Sequence, residues 1–202
     1  MSERGDGHSK RTAIVTIALV GVVFLLPLVA AYLWHPSGDT VNYGTLIQPA
    51  RPLKDFEMVD LEGNAAGLKV LNGKWTLLYV GGEHCREQCR HNLYKIERVR
   101  LAQGKNMQRV QSLYMVPSTV ESGTVADTLV QYRGLQGYRI SRDELGVMAP
   151  GFDLGRQSST GADERIYVVD PLGNLMMFYS ADADPTGMKK DLERLLKVSQ
   201  IG

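Results

Sequence analysis

The chain has 202 residues, of which 44% are hydrophobic and 22% are charged, a composition typical of folded proteins and not of disordered ones. This length allows one ordinary domain and a short additional segment, but hardly two domains. The formal net charge of +1 gives no reason to expect the basic surface that nucleic-acid binding usually requires. We therefore set nucleic acid aside as a partner.

An apolar segment lies near the N-terminus. Thr12 to Trp34 contains no charged residue, and as a helix it is long enough to cross a bilayer core of roughly 30 Å. Lys10 and Arg11 precede it, so the positive-inside rule predicts a cytoplasmic N-terminus and an exported remainder. A cleaved signal peptide, with Val29-Ala30-Ala31 as the processing site, is the alternative, although the segment exceeds the usual length of a signal core.

The remaining residues divide into a tether and a domain. Residues 35–55 are rich in proline, glycine and small polar side chains, which is typical of a tether with local turns. The predicted organisation is a cytoplasmic N-terminus at 1–11, a single-pass anchor in a bacterial inner membrane at 12–34, the tether at 35–55 and a periplasmic domain at 56–202. Such a domain would stand in an oxidising compartment.

The predicted elements of the domain follow an α/β order. A strand-like run covers Phe56–Leu61, and the continuous apolar run Trp75–Val80 predicts a central strand covered on both faces. Gln88–Ala102 has a helical apolar stripe. The later segments are a strand at Val110–Val116, a helix at Val125–Tyr132, a strand at Gly137–Ile140, a loop at Gly146–Met148, a hairpin of Arg165–Val169 and Leu175–Tyr179 around Asp170–Gly173, and a helix opening at Asp184-Pro185. This order is that of a thioredoxin-like fold, a mixed central sheet flanked by helices.

The chain has only two cysteines, Cys85 and Cys89, in one Cys-x-x-x-Cys motif between the central strand and the helix. A helix N-terminus lowers the pKa of a nearby thiol, and Arg86 and Arg90 would add to that effect. A thiolate is both the nucleophile of disulfide exchange and a ligand for soft ions such as Cu(I). The pair is therefore predicted to be the catalytic and metal-binding site, against the alternative that both are inert core residues.

Spacing limits how the two cysteines can pair. Side chains at positions i and i+4 of a helix have Cβ atoms about 5–6 Å apart, whereas a disulfide needs about 3.8 Å. A bridge therefore requires Cys85 to lie in the turn before the helix. His84 lies in the same turn and could bind a metal beside Cys85, the alternative being an exposed loop histidine, whereas His91 would point away from Cys89 toward solvent.

The segments WTLLYVGGEHCREQC and IYVVDPLGN, with the apolar N-terminal segment and the long helix, resemble the Sco/SenC family of cytochrome oxidase assembly proteins. The resemblance implies a thioredoxin-like domain that binds copper through the two motif cysteines, here Cys85 and Cys89, and a distal histidine. It also implies delivery of copper to the binuclear copper site of an oxidase subunit, or reduction of the cysteines of that site.

The sequence departs from the family pattern in its third ligand. The distal histidine would lie about eight residues before Asp170, where this chain has Ala162, and no histidine follows His91. Arg86 and Arg90 replace the prolines that usually follow the motif cysteines. This pattern is typical of a divergent branch, in which His84 is the best candidate for the missing ligand.

The predicted function is a membrane-anchored assembly factor for a respiratory cytochrome oxidase, acting by thiol–disulfide chemistry, Cu(I) delivery or both. Its partner would be the copper-site subunit of the oxidase or another periplasmic thiol protein. The alternatives are a general periplasmic thiol–disulfide reductase and a non-catalytic binding module with a structural disulfide. A metallochaperone or assembly factor is favoured over an enzyme, and a thiol–disulfide oxidoreductase is the alternative.

Overall fold

The computed structural model describes residues 6–33, 42–152 and 164–199. It divides the chain into two units, Met1–Val41 and Asn42–Gly202. In the first unit, α1 spans Asp6–Leu33 and includes Pro27. Within the described residues, no helix is both long enough and apolar enough to cross a membrane. The anchor at 12–34 stays a prediction, and Trp34 and the tether residues up to 41 lie outside the described residues.

The second unit contains one mixed sheet, as the sequence predicts. Its described strands are β1 (Thr45–Pro52), β2 (Glu57–Asp60), β3 (Ala65–Gly67), β4 (Trp75–Val80), β5 (Val110–Pro117), β6 (Leu135–Ile140), β7 (Ile166–Val169) and β8 (Asn174–Tyr179). They lie in the order β1-β8-β7-β4-β5-β6-β2-β3. The neighbours β4, β5 and β6 are parallel, and the other neighbouring pairs are antiparallel.

Four described helices accompany the sheet: α2 (Glu87–Leu101), α3 (Ser122–Leu129), α4 (Arg142–Phe152) and α5 (Pro185–Val198), with short 3-10 turns at Leu68–Leu71 and Gly104–Arg109. The predicted cap of the last helix is confirmed. The Asp184 carboxylate accepts a hydrogen bond from the Thr186 amide at 3.0 Å, and proline occupies the first helical position.

The central strand β4 is buried along its whole length, as its apolar run predicts. Its side chains alternate between two apolar clusters because successive residues of a strand point to opposite faces. Leu77 and Tyr79 join one cluster, which includes Leu93 of α2. Leu78 and Val80 join the other. The sheet is therefore covered on both faces around β4, and the end of this strand is a rigid place to hold a site.

The predicted tether is wrong from Thr45 onward. Thr45–Pro52 forms β1, which pairs with β8 and ends the sheet on that side. Its two prolines obscure the strand in the sequence, but an edge strand tolerates proline because its outer amide positions need no partner. The register breaks between Leu46 and Arg51, which accommodates this proline-containing stretch.

The predicted loop at Gly146–Met148 is also wrong. These residues lie within α4, whose Gly146 and Pro150 weaken the helical signal in the sequence. Met148 and Phe152, one helical turn apart, are both buried, with 2% and 1% exposure. The Tyr167 hydroxyl donates a hydrogen bond to the Phe152 carbonyl at 3.1 Å. Tertiary packing therefore stabilises a helix that local propensity does not predict.

Candidate redox site

The two cysteines lie where β4 passes into α2. After Val80, a short loop leads to Glu87, the first residue of α2. Cys85 lies in this loop, and Cys89 lies in the first turn of the helix. The two form a disulfide with their Cα atoms 5.1 Å apart. The prediction that a bridge requires Cys85 to precede the helix is confirmed.

The two half-cystines differ in exposure. Cys85 is half-buried, whereas Cys89 is 7% exposed and packs in the apolar cluster with Leu93 and Ile96. An incoming thiolate must reach a sulfur atom to begin exchange. By residue exposure, Cys85 is the more accessible point of attack, and Cys89 is then the residue whose sulfur leaves.

Tyr114 of β5 lies against the buried half of the disulfide. Its hydroxyl oxygen is 3.5 Å from the Cys89 Sγ. Because a disulfide sulfur carries no hydrogen, the tyrosine O–H is the donor. Burial, with a smaller contribution from Tyr79 and Tyr132, raises the pKa of Tyr114 well above its ordinary value, so the hydroxyl keeps its proton.

The sequence does not mark Tyr114 as a site residue, because its contact with Cys89 depends on how two parallel strands align. Tyr114 is the register partner of Tyr79 on β4, and the two rings stack with centroids 5.9 Å apart. Gly81 leaves room for the ring, since a Cβ there would lie 2.6 Å from Tyr114 Cε2. The only hint in the sequence is that a tyrosine lies in the middle of the predicted strand Val110–Val116, which follows the helix of the cysteine motif.

Arg90 contacts the backbone of the cysteine loop. Its guanidinium donates a hydrogen bond to the Cys85 carbonyl at 3.0 Å. The Tyr132 hydroxyl in turn donates to the Arg90 carbonyl at 3.1 Å. Arg90 therefore fixes the loop that holds Cys85, while Arg86 is exposed just before α2.

Three polar side chains hold α2 to the segments around the hairpin. The Asn92 amide donates to the Glu164 carbonyl at 2.9 Å. Gln88 and Lys95 donate to the Ala181 carbonyl at 3.2 Å and 2.6 Å, and burial lowers the pKa of Lys95. These contacts fix the helix that carries Cys89.

Two histidines, His84 and His91, flank the cysteine motif. Both are exposed, His84 in the loop and His91 on α2, and the prediction that His91 faces solvent is confirmed. Across 42–152, 164–199 and the described part of α1, no group of three histidine, cysteine, aspartate or glutamate side chains is placed to hold a metal ion. Ala162, the position of the distal histidine in the family pattern, lies outside the described residues.

A cleft of about 770 Å³ opens beside the disulfide. His84, Arg86 and Cys89 lie on one part of its wall, and Thr119 and Arg142 lie on another. The wall also includes Glu83, so its charges are of both signs. Cys89 is the motif cysteine on this wall, so the cleft gives a partner segment room to approach the disulfide from the side of Cys89.

No curated protein sequence matches the chain. The copper-bound structure of ScoI from Bradyrhizobium japonicum is 23% identical, with a TM-score of 0.58 over 71% of this chain and 98% of that one. Copper-bound yeast Sco1 is 18% identical, with a TM-score of 0.63 over 74% and 90%.

A third structure, BsSco, is described as a member of the Sco family of cytochrome c oxidase assembly proteins with a disulfide switch. It is 13% identical, with a TM-score of 0.61 over 77% of this chain and 99% of that one. At such identities these structures show a shared fold, and at that level the resemblance to Sco/SenC proteins is confirmed. The model of the family described as "Transmembrane-like, thioredoxin-like, C-terminal domain" matches residues 75–199, from β4 to the end of α5. Because this match covers more than half of the chain, the protein belongs to that family of transmembrane-like, thioredoxin-like C-terminal domains.

Proposed function

We propose that this chain is an assembly factor for a respiratory cytochrome oxidase and acts by thiol–disulfide exchange through Cys85 and Cys89. The observation that carries the proposal is the disulfide at the end of β4, half-buried at Cys85 and adjacent to a cleft. The similarity to BsSco, a member of a family of oxidase assembly proteins with a disulfide switch, supports it.

The exchange has two steps. In the reduced protein, the Cys85 thiolate attacks a partner disulfide, forming a Cys85–partner bond and releasing the second partner sulfur as a thiolate. The Cys89 thiolate then attacks the Cys85 sulfur, and the electron pair of the mixed disulfide leaves with the partner sulfur. The partner gains two electrons as a dithiol, this chain becomes the disulfide, and an exported dithiol reductant restores it.

Delivery of Cu(I) is the second candidate. After reduction, two sulfurs on residues whose Cα atoms are 5.1 Å apart would form a soft site for one Cu(I) ion as cargo. His84 is the proposed third donor because it lines the same cleft as Cys89. The copper-bound structures of the Bradyrhizobium and yeast proteins support copper as the metal.

The proposed location is the inner membrane of a bacterium, with residues 1–11 in the cytoplasm and the second unit in the periplasm. The uncharged segment 12–34, preceded by Lys10 and Arg11, supports this topology. An alkaline phosphatase fused after Gly202 should be active and should sediment with membranes. Activity in the soluble periplasmic fraction would instead indicate a cleaved signal peptide.

The decisive test replaces Cys85 in the host. Cys85→Ser should abolish the assembly function and lower both oxidase activity and oxidase copper content, whereas the surface variant Glu193→Gln should leave both unchanged. Normal oxidase in the Cys85→Ser strain would contradict the proposal. Rapid turnover of insulin disulfides by the purified chain would favour the alternative of a general reductase.

A Cu(I) competition titration of the reduced full-length chain in detergent separates the two mechanisms. Tight one-to-one binding that is lost in Cys85→Ser would establish copper delivery. Binding no tighter than that of a free dithiol would leave thiol–disulfide exchange as the mechanism. His84→Ala should weaken tight binding if His84 is the third donor.

A further inference from the structure

We infer that Tyr114 is a working part of the redox site: its hydroxyl holds the Cys89 sulfur and stabilises the negative charge that forms there when the disulfide opens. The inference rests on the thiol–disulfide chemistry proposed above, but it does not depend on the identity of the partner. It adds Tyr114 of β5 to a site that otherwise consists of the two cysteines between β4 and α2.

The first support is the hydrogen bond itself. The Tyr114 hydroxyl lies 3.5 Å from Cys89 Sγ, and in the disulfide only the tyrosine can donate. Cys89 is 7% exposed and Tyr114 is 2% exposed, so both residues are largely shielded from water although Cys89 borders the cleft. A buried donor aimed at a sulfur that will gain charge is worth more than the same contact in water.

The second support is that neighbouring residues accommodate and position the ring. The parallel register places Tyr114 beside Tyr79, and the ring planes are 10° apart. Gly81 provides the space, because a Cβ at this position would lie 2.8 Å from the Tyr114 hydroxyl oxygen and 2.6 Å from Cε2. The hydroxyl is therefore held at the sulfur by the sheet and not by a mobile loop.

The chemical role follows from the direction of bond breaking. When a reductant thiolate attacks the Cys85 sulfur, a new S–S bond forms and the Cys85–Cys89 bond breaks with its electron pair on Cys89 Sγ. The leaving sulfur becomes a thiolate in a buried position, where charge is costly without a donor. The Tyr114 O–H supplies that donor. In the reverse step, the same contact orients the Cys89 thiolate toward the mixed disulfide at Cys85.

The test measures reduction of the full-length chain in detergent by dithiothreitol at one fixed pH. Removing this hydrogen bond to the leaving sulfur in Tyr114→Phe should slow reduction about three- to tenfold. It should also shift the equilibrium with dithiothreitol toward the protein disulfide by about threefold or more. Tyr167→Phe is the matched control because it removes a buried hydroxyl that bonds to the Phe152 carbonyl within the other apolar cluster. Its rate and equilibrium should equal those of the unaltered chain.

Equal rates and equilibria in Tyr114→Phe and Tyr167→Phe would overturn the inference. A second probe keeps the test valid if Tyr114→Phe folds poorly: 3-fluorotyrosine at position 114 keeps the hydroxyl and strengthens it as a donor, so reduction should become faster. No acceleration would count against the role of the hydroxyl. The reductant in this test is a small dithiol, so a negative result for Tyr114 would not contradict the proposed role in oxidase assembly. Conversely, normal oxidase in the Cys85→Ser host would contradict that role without affecting the result for Tyr114.

Discussion

Two buried tyrosines of the sheet illustrate how similar contacts serve different ends. Tyr114 on β5 donates to the Cys89 sulfur. Tyr179 on β8 donates to the Asp191 carboxylate of α5 at 3.4 Å. Both hydroxyls are held in the same apolar cluster, and burial raises the pKa of both tyrosines well above the ordinary value. Both therefore act as protonated donors.

The acceptors differ in what else they contact. The Asp191 carboxylate also accepts hydrogen bonds from the Tyr43 and Gly44 amides at 2.8 Å and 3.0 Å, and it is 2% exposed. It joins the first residues of the second unit to α5. Cys89 is bonded to the half-buried Cys85 and itself borders the cleft. A donor to a buried carboxylate that also binds two backbone amides is structural, whereas a donor to one sulfur of a disulfide beside a cleft can act in a reaction.

The largest expected effect is on the ability of Cys85 and Cys89 to trap a mixed disulfide. Cys89→Ser leaves the accessible Cys85 thiol without its resolving partner, so it should accumulate a mixed disulfide with a model disulfide substrate. Cys85→Ser leaves only a buried thiol and should accumulate essentially none. Non-reducing gels and intact mass measurement check this result. Equal trapping by both variants would contradict the assignment of Cys85 as the attacking sulfur.

The next largest expected effect is on stability and concerns Asp191, the carboxylate that accepts the Tyr179 hydrogen bond. Asp191→Ala leaves the Tyr43 and Gly44 amides without their acceptor and should lower the free energy of unfolding by about 3 kcal/mol. Urea denaturation measures the loss. Asp191→Asn, which keeps one acceptor oxygen, should lose less. The rate of disulfide reduction in the folded Asp191→Ala variant should stay unchanged, and a slowed rate would show that the two regions are not independent.

Reducing the disulfide should have a smaller effect on stability. The bond joins residues with a sequence separation of 4, and closing so short a loop contributes only about 2 kcal/mol in the chain-entropy model. The reduced chain should therefore keep its fold, which circular dichroism and urea denaturation can check. Unfolding on reduction would instead support the alternative in which Cys85 and Cys89 form a structural disulfide.

The smallest effect is expected on the exposed face of α5. Lys189 and Glu193 form an ion pair with N···O 3.0 Å, and both side chains are well exposed. Glu193→Gln should change the free energy of unfolding by less than about 0.5 kcal/mol, because solvent screens such pairs. A larger loss of unfolding free energy would contradict the expectation that this exposed ion pair contributes little to stability.

The sequence by itself determined the elements whose signals are local. The apolar run Trp75–Val80 is β4, the Asp170–Gly173 turn joins β7 to β8, and Asp184-Pro185 opens α5. The local order of strand, cysteine motif and helix likewise places Cys85 before α2. These features depend on neighbours within a few residues, so composition and spacing are enough to predict them, and together they indicated a thioredoxin-like fold.

Tertiary structure decided the rest. Thr45–Pro52 becomes a strand only because it can pair with β8 as the edge strand of the sheet, a position that tolerates its prolines. Arg142–Phe152 becomes a helix only because the core buries Met148 and Phe152. The contact of Tyr114 with Cys89 spans 25 positions. Such features depend on strand register and on packing between distant segments, and the register of two parallel strands is not encoded in either strand alone.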